Sequence, residues 1–491
     1  MLKSLKDLKM RAVVLTEGGK DIGFGHIGRC LSLAQALEER GVSLRFIVRG
    51  DSSVEGILKN REYELFDWLK EKVFEYIDDS TIVIVDSYFG DSDFYRRLSG
   101  HCGIIVYIDD SRRRDFPRGI VVNPAAGVKK TSYPKQDGLT YLLGSDYALL
   151  RKEFWQVPSK TIGQDIQKVM LTFGGSDGVN LSSAILKFFA EKFPSWSKSV
   201  VIGSSFRSFE QIQEIKDEKT DLIIHPDANQ MRNIMLDCDI AISGGGQTLY
   251  ELARIGTPAI GICVADNQIQ NLEGLAKQGT LEYIGWYNHP SFIQKLEQAI
   301  GCLEDINRRK TSSEASRKMI DGQGARRVSR EVLSQFYKKV INIRRASVQD
   351  MNDVFSLSND PLVRLNSFHP EVISWDTHQE WFQRKLKSNT TFFFVAYTEG
   401  IFCGQVRFET EKEEALIGIS LKPFLRGLGL GSYIINEAIR LIEDCNSIKR
   451  VKALIKGDNT ASIKAFQKAG FGFLADQLVE GYKASVYIKE I

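Results

Sequence analysis

The sequence predicts an α/β protein with two successive doubly wound parallel-sheet units and a smaller α+β unit at the C-terminal end. Short apolar strands alternate with helical patterns over residues 11–155 and again from residue 169, which is typical of parallel sheets. In both stretches a glycine-rich loop follows a strand and opens a helix. After residue 341 strands follow one another directly, as in an antiparallel sheet.

Length and composition limit the class of protein. A chain of 491 residues is too long for one core, so several domains are expected. We predict boundaries that give units 1–155, 156–337 and 338–491. The composition is 43% hydrophobic and 26% charged, and a net charge of +3 is spread along the chain. This pattern indicates neither a nucleic-acid nor a membrane partner.

The first residues lack the apolar core of a signal peptide, and no apolar run is long enough to span a bilayer. Seven cysteines are scattered without a C-x-x-C pair. We therefore expect reduced core cysteines in a cytoplasmic protein. No histidine or cysteine cluster has the spacing of metal ligands, so no metal is expected. The sequence leaves the oligomeric state open.

The loop of residues 23–29 lies between a predicted strand, 12–15, and a helical pattern. Its glycines allow close approach of a ligand, and the helix N-terminus offers free N–H groups. His26 lies there between Gly25 and Arg29. A helix N-terminus disfavours a charged imidazole, so we expect a neutral, proton-accepting ring. The alternative is a buried histidine without chemistry; the glycine-rich setting favours function.

Polar residues follow several predicted strands of the first unit. Ligands of doubly wound sheets bind at the carboxyl ends of strands. Asp86 and Tyr88 follow one strand, Asp109 and Asp110 the next, and Asn123 a third. Each alone is best explained as a turn or helix cap, but their shared sheet edge with His26 favours a site. The strands predicted here are 12–15, 44–48, 82–85, 103–108, 119–122 and 141–143.

The second unit has two glycine loops at strand–helix junctions, 174–180 and 244–248. Such loops suit a diphosphate, because N–H groups and helix dipoles face its charge without a metal. A carboxylate one turn into the second helix can accept hydrogen bonds from ribose hydroxyls. The alternative is tight packing of strand against helix. The residues predicted to bind here are Gly174, Gly175, Ser176, Gly245, Thr248 and Glu251.

These residues carry a resemblance to a known family. The matching segments are 22–31, 85–88, 144–154, 173–177 and 321–325, within about residues 11–337. As a set they resemble the nucleotide-sugar enzymes of the GT-B architecture, and more narrowly the UDP-2,4-diacetamido-2,4,6-trideoxy-β-L-altropyranose hydrolases of pseudaminic acid biosynthesis. The chain departs from that family at Leu15 and Glu17, where an arginine and an aspartate are usual.

The resemblance implies a mechanism. His26 would be the general base for a water that attacks the anomeric carbon, with inversion and without a metal. UDP is a good leaving group, so no strong general acid is required. The substrate-binding residues that we predict in addition to the second unit's loops are Gly25, Arg29, Asp86, Tyr88, Gln268 and Asn271.

In the C-terminal third, strands are predicted over 341–346, 392–397, 404–408, 414–421 and 451–455. The strand that ends at Leu421 leads into a glycine-rich turn and a helix, whose N-terminus can hold a pyrophosphate. A second helix begins at Asn459-x-x-Ser462. The predicted cofactor-binding residues are Leu421, Arg426, Gly427, Leu428, Gly429, Leu430, Gly431, Asn459 and Ser462.

The Arg-x-x-Gly-x-Gly turn resembles the signature of GNAT acetyltransferases over about residues 341–491. The resemblance implies acetyl-CoA as co-substrate, with pantetheine held where the preceding strand diverges from its neighbour. Phe466 stands where many GNATs have a tyrosine acid, so we assign no acid or base. Asn366-Ser367 and a helix with His378 and Trp381 resemble the N-acetyltransferase of the same pathway; packing of one amphipathic helix explains His378 and Trp381 equally well.

The sequence thus predicts a bifunctional cytoplasmic enzyme that acetylates a UDP-linked 4-amino sugar and then hydrolyses the product. One alternative is a glycosyltransferase fused to an acyltransferase, in which a second sugar replaces water. Another is a UDP-sugar-binding module that regulates an acetyltransferase with a different acceptor.

Overall fold

The computed structural model describes residues 10–20, 22–110, 115–175, 177–203, 206, 209–443 and 448–491. Ser176, which is predicted to bind the diphosphate, lies outside the described residues, as does Cys445, one of the seven cysteines. The chain divides into two compact units, Lys9–Val332 and Leu333–Ile491. Among the helices of the described ranges, none combines the length and the apolar character needed to cross a membrane.

The first sheet has seven parallel strands in the order β3-β2-β1-β4-β5-β6-β7. The connections diverge between β1 and β4, and this switch point opens a crevice at the carboxyl ends of the strands. The strands are β1 Arg11–Gly18, β2 Ser43–Gly50, β3 Glu62–Leu65, β4 Thr81–Asp86, β5 Ile104–Ile108, β6 Gly119–Asn123 and β7 Leu139–Leu143; the helices are α1 Gly25–Glu38, α2 Glu55–Leu58 and α3 Ser92–His101.

All six strands predicted for this sheet are present, and β3 was missed. The predicted strands are almost entirely buried apolar runs, as parallel strands covered on both faces require. The missed strand is a four-residue edge strand with two glutamates. An edge strand leaves one side of its backbone unpaired, and proteins protect such edges from pairing with other chains by short strands and charged side chains, which leave no apolar pattern.

The second sheet repeats this topology with six strands in the order β10-β9-β8-β11-β12-β13. The missed strand, β13, is again an edge strand and is only half-buried. The strands are β8 Lys168–Thr172, β9 Ser197–Ile202, β10 Thr220–Ile224, β11 Ile240–Gly244, β12 Ala259–Cys263 and β13 Leu281–Trp286. The helices are α4 Leu181–Lys192, α5 Phe209–Ile215, α6 Ala228–Asp237, α7 Thr248–Ile255, α8 Ile269–Lys277, α9 Phe292–Glu304, α10 Ile306–Met319 and α11 Gly324–Val340.

Within the unit Lys9–Val332, backbone meets backbone where the loop after β6 contacts α8. A Cβ placed on Gly274 would lie 2.6 Å from the Cα of Gly127. Beside this contact, the hydroxyl of Tyr250 accepts a hydrogen bond from the amide of Ala126 at 3.0 Å and lies 2.6 Å from Oδ1 of Asn271. Glycine on both sides therefore lets the loop of one sheet and the helix of the other meet closely.

The third sheet has the order β14-β15-β16-β17-β18-β20-β19 and is antiparallel except for the pair β17–β18. The terminal hairpin, β19–β20, was not predicted; β19 is exposed along nearly its whole length. The strands are β14 Asn342–Arg345, β15 Thr391–Thr398, β16 Ile401–Glu411, β17 Glu414–Leu421, β18 Arg450–Lys456, β19 Gly472–Val479 and β20 Tyr482–Glu490. The helices are α12 Met351–Ser358, α13 Pro361–Leu365, α14 Trp375–Lys387, α15 Leu430–Arg440 and α16 Thr460–Lys468. The predicted fold class, two parallel-sheet units followed by an α+β unit, is confirmed.

The glycine contact yields a prediction about stability. Alanine at Gly274 would force its Cβ against the backbone of Gly127. We expect a lower melting temperature, because overpacking costs about 1–3 kcal/mol and exceeds the gain of at most about 1 kcal/mol in helix propensity. Differential scanning calorimetry measures the shift.

The matched control is Gly301→Ala in α9, where no atom lies within 4 Å of the added Cβ. This variant should melt at a slightly higher temperature than the wild type. A Gly274→Ala protein as stable as the Gly301→Ala protein would contradict the close contact.

Candidate active site

His26 lies in the first turn of α1, at the switch point of the first sheet, and only 7% of its surface is exposed. Its Nδ1 lies 2.6 Å from Oδ1 of Asp86, the last residue of β4. An ionised carboxylate can only accept, so Nδ1 carries the hydrogen of this bond. In the neutral ring, Nε2 is then the nitrogen that can accept a proton.

Arg29, one turn further along α1, binds the same carboxylate from a second direction. Its Nε and one terminal nitrogen donate to the two oxygens of Asp86 at 2.9 and 2.8 Å, and the other terminal nitrogen donates to Asp110 at 3.0 Å. Burial opposes the guanidinium charge, but the two aspartates outweigh it and raise the pKa of Arg29. Arg29 thus links the carboxylates that end two neighbouring strands.

Tyr88 completes this network. Its hydroxyl donates to Oδ2 of Asp110 at 2.6 Å, and burial together with Asp110 raises the pKa of Tyr88 to about 12. Its ring meets the ring of His26 edge-on, with 4.6 Å between centroids. The amide of Asn267 donates to the Tyr88 hydroxyl at 3.3 Å. Tyr88 therefore joins the His26 region to the start of α8 in the second sheet.

Glu17, at the end of β1, lies on the other side of the imidazole. Its Oε1 is 4.0 Å from Nε2 of His26. The same carboxylate accepts hydrogen bonds from the hydroxyl of Ser87 and the amide of Tyr88, both at 2.8 Å. The sequence argument for a neutral imidazole considered only the helix N-terminus, whereas the structure adds a carboxylate on each side of the ring.

Asp86, which was predicted to contact the sugar, is surrounded by protein groups. Only 1% of its surface is exposed, and both oxygens accept hydrogen bonds from His26 and Arg29. These bonds fix the positions of His26 and Arg29 relative to Asp86, and the predicted sugar contact of Asp86 stays a prediction. The predicted sugar contact of Tyr88 and the predicted substrate contacts of Gly25 and Arg29 stay predictions.

The first glycine loop of the second sheet faces the His26 loop. A Cβ on Gly175 would lie 3.5 Å from the ring of Phe24, the residue just before α1. Gly174 has a φ of 81°, in the left-handed region that favours glycine. The two loops that the sequence singled out are therefore neighbours within the unit Lys9–Val332.

Gln268 and Asn271 hold the second glycine loop. Oε1 of Gln268 accepts from the amides of Gly245 and Val264 at 3.0 and 3.2 Å. Nδ2 of Asn271 donates to the carbonyl of Gly245 at 3.3 Å. These amide side chains fix the backbone of the loop. Their predicted contact with the sugar stays a prediction, as does the phosphate contact of Gly245.

Glu251, buried in the first turn of α7, is oriented by Arg151. Its Oε1 accepts two hydrogen bonds from the Arg151 guanidinium, at 2.9 and 2.7 Å. Burial raises the pKa of Glu251, although Arg151 acts in the opposite direction. Thr248 begins the same helix. The ribose contact predicted for Glu251 and the phosphate contacts predicted for Thr248, Gly174 and Gly175 stay predictions.

The candidate acetyl-CoA site lies in the unit Leu333–Ile491. Gly427 and Gly429 have φ angles of 77° and 74°, which glycine adopts without strain. The helix α15 begins directly after, and its first amides lack partners within the helix. Arg426 is held by the carbonyl of Leu421 at 2.9 Å and by Asp360 at 2.8 Å. The guanidinium of Arg426 thus stabilises the start of the turn 426–431.

The strands β17 and β18 diverge as predicted. They pair only from Glu414–Arg450 to Leu416–Lys452, although β17 continues to Leu421 and β18 to Lys456. Oδ1 of Asn459 accepts from the amide of Ser462 at 3.1 Å and caps α16. The binding roles predicted for Leu421, Leu428, Leu430, Gly431, Asn459 and Ser462 stay predictions.

The side chains of Phe466 and His378 are both packed in the interior of this unit. Phe466 is buried, and its ring meets that of Phe471 edge-on at 5.0 Å, so this position offers no proton. His378 is 1% exposed, and its Nε2 lies 3.2 Å from the carbonyl of Met351. Burial lowers its pKa. Of the two interpretations left open for His378, the structure favours packing.

Sequence reasoning did not find the partners of the site residues. Arg151 lies in segment 144–154, which contributes to the family resemblance, but the sequence predicted no role for this residue. Asp110 was considered only as one of the polar residues that follow a strand. The bonds join Arg29 to residues 57 and 81 positions away, and Arg151 to one 100 positions away. In the described part of the chain, no group of three or more His, Cys, Asp and Glu side chains could hold a metal ion.

Comparison with known proteins gives two family matches. The Glycosyltransferase family 28 C-terminal domain matches residues 169–331, and the Acetyltransferase (GNAT) domain matches residues 341–472. An uncharacterized protein of Methanocaldococcus jannaschii is 23% identical over 490 residues, which cover 94% of this chain and 96% of that protein.

The UDP-2,4-diacetamido-2,4,6-trideoxy-beta-L-altropyranose hydrolase of Campylobacter jejuni is 25% identical over 283 residues, 55% of this chain and 97% of that protein. The chain resembles such a hydrolase joined to a GNAT domain. Among solved structures, the spermidine N-acetyltransferase of Vibrio cholerae is 16% identical, with a TM-score of 0.29, and the match covers 31% of this chain and 96% of that one.

The Asp110 network yields a prediction about pH. Burial opposes ionisation of Asp110, but Arg29 and the Tyr88 hydroxyl outweigh it and lower the pKa from its ordinary value of 3.8. A carboxyl group with a lowered pKa stabilises the fold above its unfolded pKa, and this stabilisation is lost as the pH falls. The melting temperature of Asp110→Asn should therefore lie well below that of the wild type at about pH 6 and approach it near about pH 3.

Asp93→Asn is the control, because Asp93 is exposed and binds only Arg96 on its own helix. Its difference from the wild type should be small at both pH values. A pH-independent difference for Asp110→Asn would contradict the role of the buried network.

Proposed function

We propose that the protein is a bifunctional nucleotide-sugar enzyme of pseudaminic acid biosynthesis. The C-terminal unit acetylates the 4-amino group of a UDP-4-amino-4,6-dideoxy-N-acetyl-altrosamine with acetyl-CoA. The N-terminal unit then hydrolyses the UDP-diacetamido sugar to UDP and free sugar. The observation that carries the hydrolase proposal is the hydrogen bond from His26 to Asp86 at the switch point, opposite the glycine loop at Gly175.

In the proposed hydrolysis, Nε2 of His26 takes a proton from water. The water oxygen forms a bond to the anomeric carbon while the bond from that carbon to the UDP oxygen breaks, with inversion. Asp86 and Glu17 would stabilise the imidazolium that results, because they lie on either side of the ring. A positioned base of this kind contributes about 10²–10⁴-fold in rate.

The second sheet would bind the UDP part. The amide of Gly245 already donates to Gln268, so the amides of the Gly174 loop and of the N-terminus of α7 would face the diphosphate. Arg151 holds one oxygen of Glu251, which orients this carboxylate for the ribose hydroxyls. Because Gln268 and Asn271 fix the Gly245 loop, the backbone is prepared for an anion before the substrate arrives.

In the proposed acetyl transfer, the amine nitrogen forms a bond to the thioester carbon, the carbon–sulfur bond breaks, CoA leaves as its thiolate, and the proton that the nitrogen loses passes to water. The turn 426–431 and the N-terminus of α15 would hold the pyrophosphate of acetyl-CoA. The pantetheine would lie where β17 and β18 diverge. Because Phe466 has no hydroxyl, we propose that the thiolate leaves without an acid from this position.

The fusion joins consecutive reactions. Because both sites belong to one chain, the product of acetylation would form at a raised local concentration near the hydrolase site. The match to a glycosyltransferase family 28 domain over residues 169–331 supports a second candidate, a glycosyltransferase fused to an acyltransferase. The two candidates share the UDP site and differ in whether water or a second sugar attacks.

The order of the reactions is tested by phosphorus NMR and mass spectrometry of the full chain with the UDP-4-amino sugar. We expect UDP release only when acetyl-CoA is present, because the acetylated sugar is the hydrolase substrate. An acetylated but intact nucleotide sugar would contradict the hydrolase and favour glycosyl transfer or binding.

The base is tested by His26→Ala, which should lower kcat for UDP release about 10²–10⁴-fold and leave acetylation unchanged. Asp86→Asn should lower kcat more than it raises KM, because the tautomer of His26 is no longer fixed. His289→Ala is the control, since His289 is exposed. UDP release by His26→Ala at the wild-type rate would contradict the role of His26 as general base. A loss of UDP release in this variant would also exclude the alternative in which the N-terminal unit only binds a UDP-sugar.

A further inference from the structure

Lys456, the last residue of β18, is a buried lysine that the proposed mechanism does not use. Only 7% of its surface is exposed. Its Nζ donates to the carbonyl of Leu365 at 2.9 Å and lies 3.8 Å from the centroid of the Tyr482 ring. Among the described residues, no carboxylate oxygen lies within 4.0 Å of this nitrogen.

A buried ammonium group without a carboxylate is unusual, because removing its charge from water costs free energy unless a partner compensates. The ring of Tyr482 and one carbonyl compensate in part. An ammonium group has three hydrogens to donate, and the carbonyl of Leu365 takes one. The site is therefore suited to an anionic oxygen of a ligand.

The position of Lys456 relates it to the acceptor. β17 pairs with β18 only as far as Lys452, so Lys456 lies on the part of β18 that has diverged from β17. In the proposed function the acetyl group reaches the acceptor at this divergence. Leu365, whose carbonyl binds Lys456, precedes Asn366-Ser367, the segment that resembles an N-acetyltransferase of the pathway.

The segment next to Lys456 adds positive charge. Nε of Arg364 is buried and has no hydrogen-bond partner among the described residues, and one terminal nitrogen donates to the carbonyl of His369 at 3.1 Å. The carboxylate that begins the segment, Asp360, is bound by Arg426. Asp360 is thus already paired, and among the described residues neither Lys456 nor Arg364 has a carboxylate oxygen within 4.0 Å, although the charge of Glu371 acts on Arg364 from further away.

We propose that Lys456 is a specificity-determining residue that binds a phosphate oxygen of the acceptor, and so selects a nucleotide-linked amine over a free amino sugar. This inference rests on the proposed acetylation of a UDP-linked sugar. The diphosphate of such an acceptor supplies the anionic oxygen that the geometry calls for.

A second lysine, Lys489, provides a control because both of its hydrogen bonds are made to protein groups. Nζ of Lys489 donates to the carbonyl of Ala469 at the end of α16 and to Oδ1 of Asn436, both at 2.9 Å. Like Lys456 it contacts a carbonyl at the end of a helix, but it lies on β20 and has two polar partners. Lys489→Met therefore reproduces the loss of a helix-end contact without removing the proposed phosphate ligand.

The test compares kcat/KM of the full chain for the UDP-linked 4-amino sugar and for the same amino sugar without UDP. Lys456→Met should lower kcat/KM for the UDP-linked acceptor about 10- to 100-fold, the effect of one lost charged hydrogen bond. It should change kcat/KM for the free amino sugar and KM for acetyl-CoA less than about threefold. Lys456→Arg should restore most of the activity, because it retains the charge.

Several results would overturn the inference. An equal loss with both acceptors would assign Lys456 a structural role, as would an equal effect of Lys489→Met. A raised KM for acetyl-CoA would place the phosphate contact on the co-substrate. If the wild type acetylated the free sugar and the UDP-linked sugar with equal kcat/KM, the proposal that Lys456 selects the acceptor would be wrong, whereas the proposed acetyltransferase activity would be supported. If the wild type acetylated no UDP-linked amine, the proposed function would fail together with the inference.

Discussion

The hydrogen bond between His26 and Asp86 is the interaction on which the first site depends. It exists because β1 and β4 are neighbours in the sheet, although His26 and Asp86 are 60 residues apart in the sequence. The helix that follows β1 brings the imidazole over the end of β4, and Arg29 on the same helix binds the same carboxylate. His26 and Arg29, on neighbouring positions of α1, thus both bind the carboxylate of Asp86. Because Asp86 is fixed at the end of β4, the sheet determines the orientation of the imidazole ring.

The Gly245 loop of the second sheet is also held by side-chain hydrogen bonds, but its partners are neutral amide groups. Amide side chains of Gln268 and Asn271 bind the backbone of the Gly245 loop, as Asp86 binds the side chains of α1. In both cases a residue that was predicted to contact the substrate instead binds a neighbouring group of the protein. In the proposed function, the groups that these residues hold are the imidazole and the loop backbone.

The fold could be predicted further from the sequence than the site. Strands in the middle of a parallel sheet, such as β4, are buried on both faces and leave a continuous apolar run. Three of the missed strands, β3, β13 and β19, lie at sheet edges and carry no such run. The fourth, β20, lies between β18 and β19, and only its central residues are buried.

Of the site, His26 could be found because a glycine loop before a helix has a local signature. Its partner could not be assigned, since no local pattern connects Asp86 or Glu17 to an imidazole in another loop. Arg151 was equally hidden, because its bond to Glu251 spans 100 positions. Long-range hydrogen bonds between charged groups depend on the register of whole strands, which a single sequence does not specify.

The backbone contact between Gly127 and Gly274 has a consequence for motion. Two glycines in contact present no side chains that interlock, so the loop and the helix can rotate against each other there at little steric cost. This point would act as a pivot for opening the crevice between the two sheets. His26, Asp86 and Arg29 all belong to the first sheet and its helix α1, so a rotation at this contact would leave the hydrogen bonds among them unchanged.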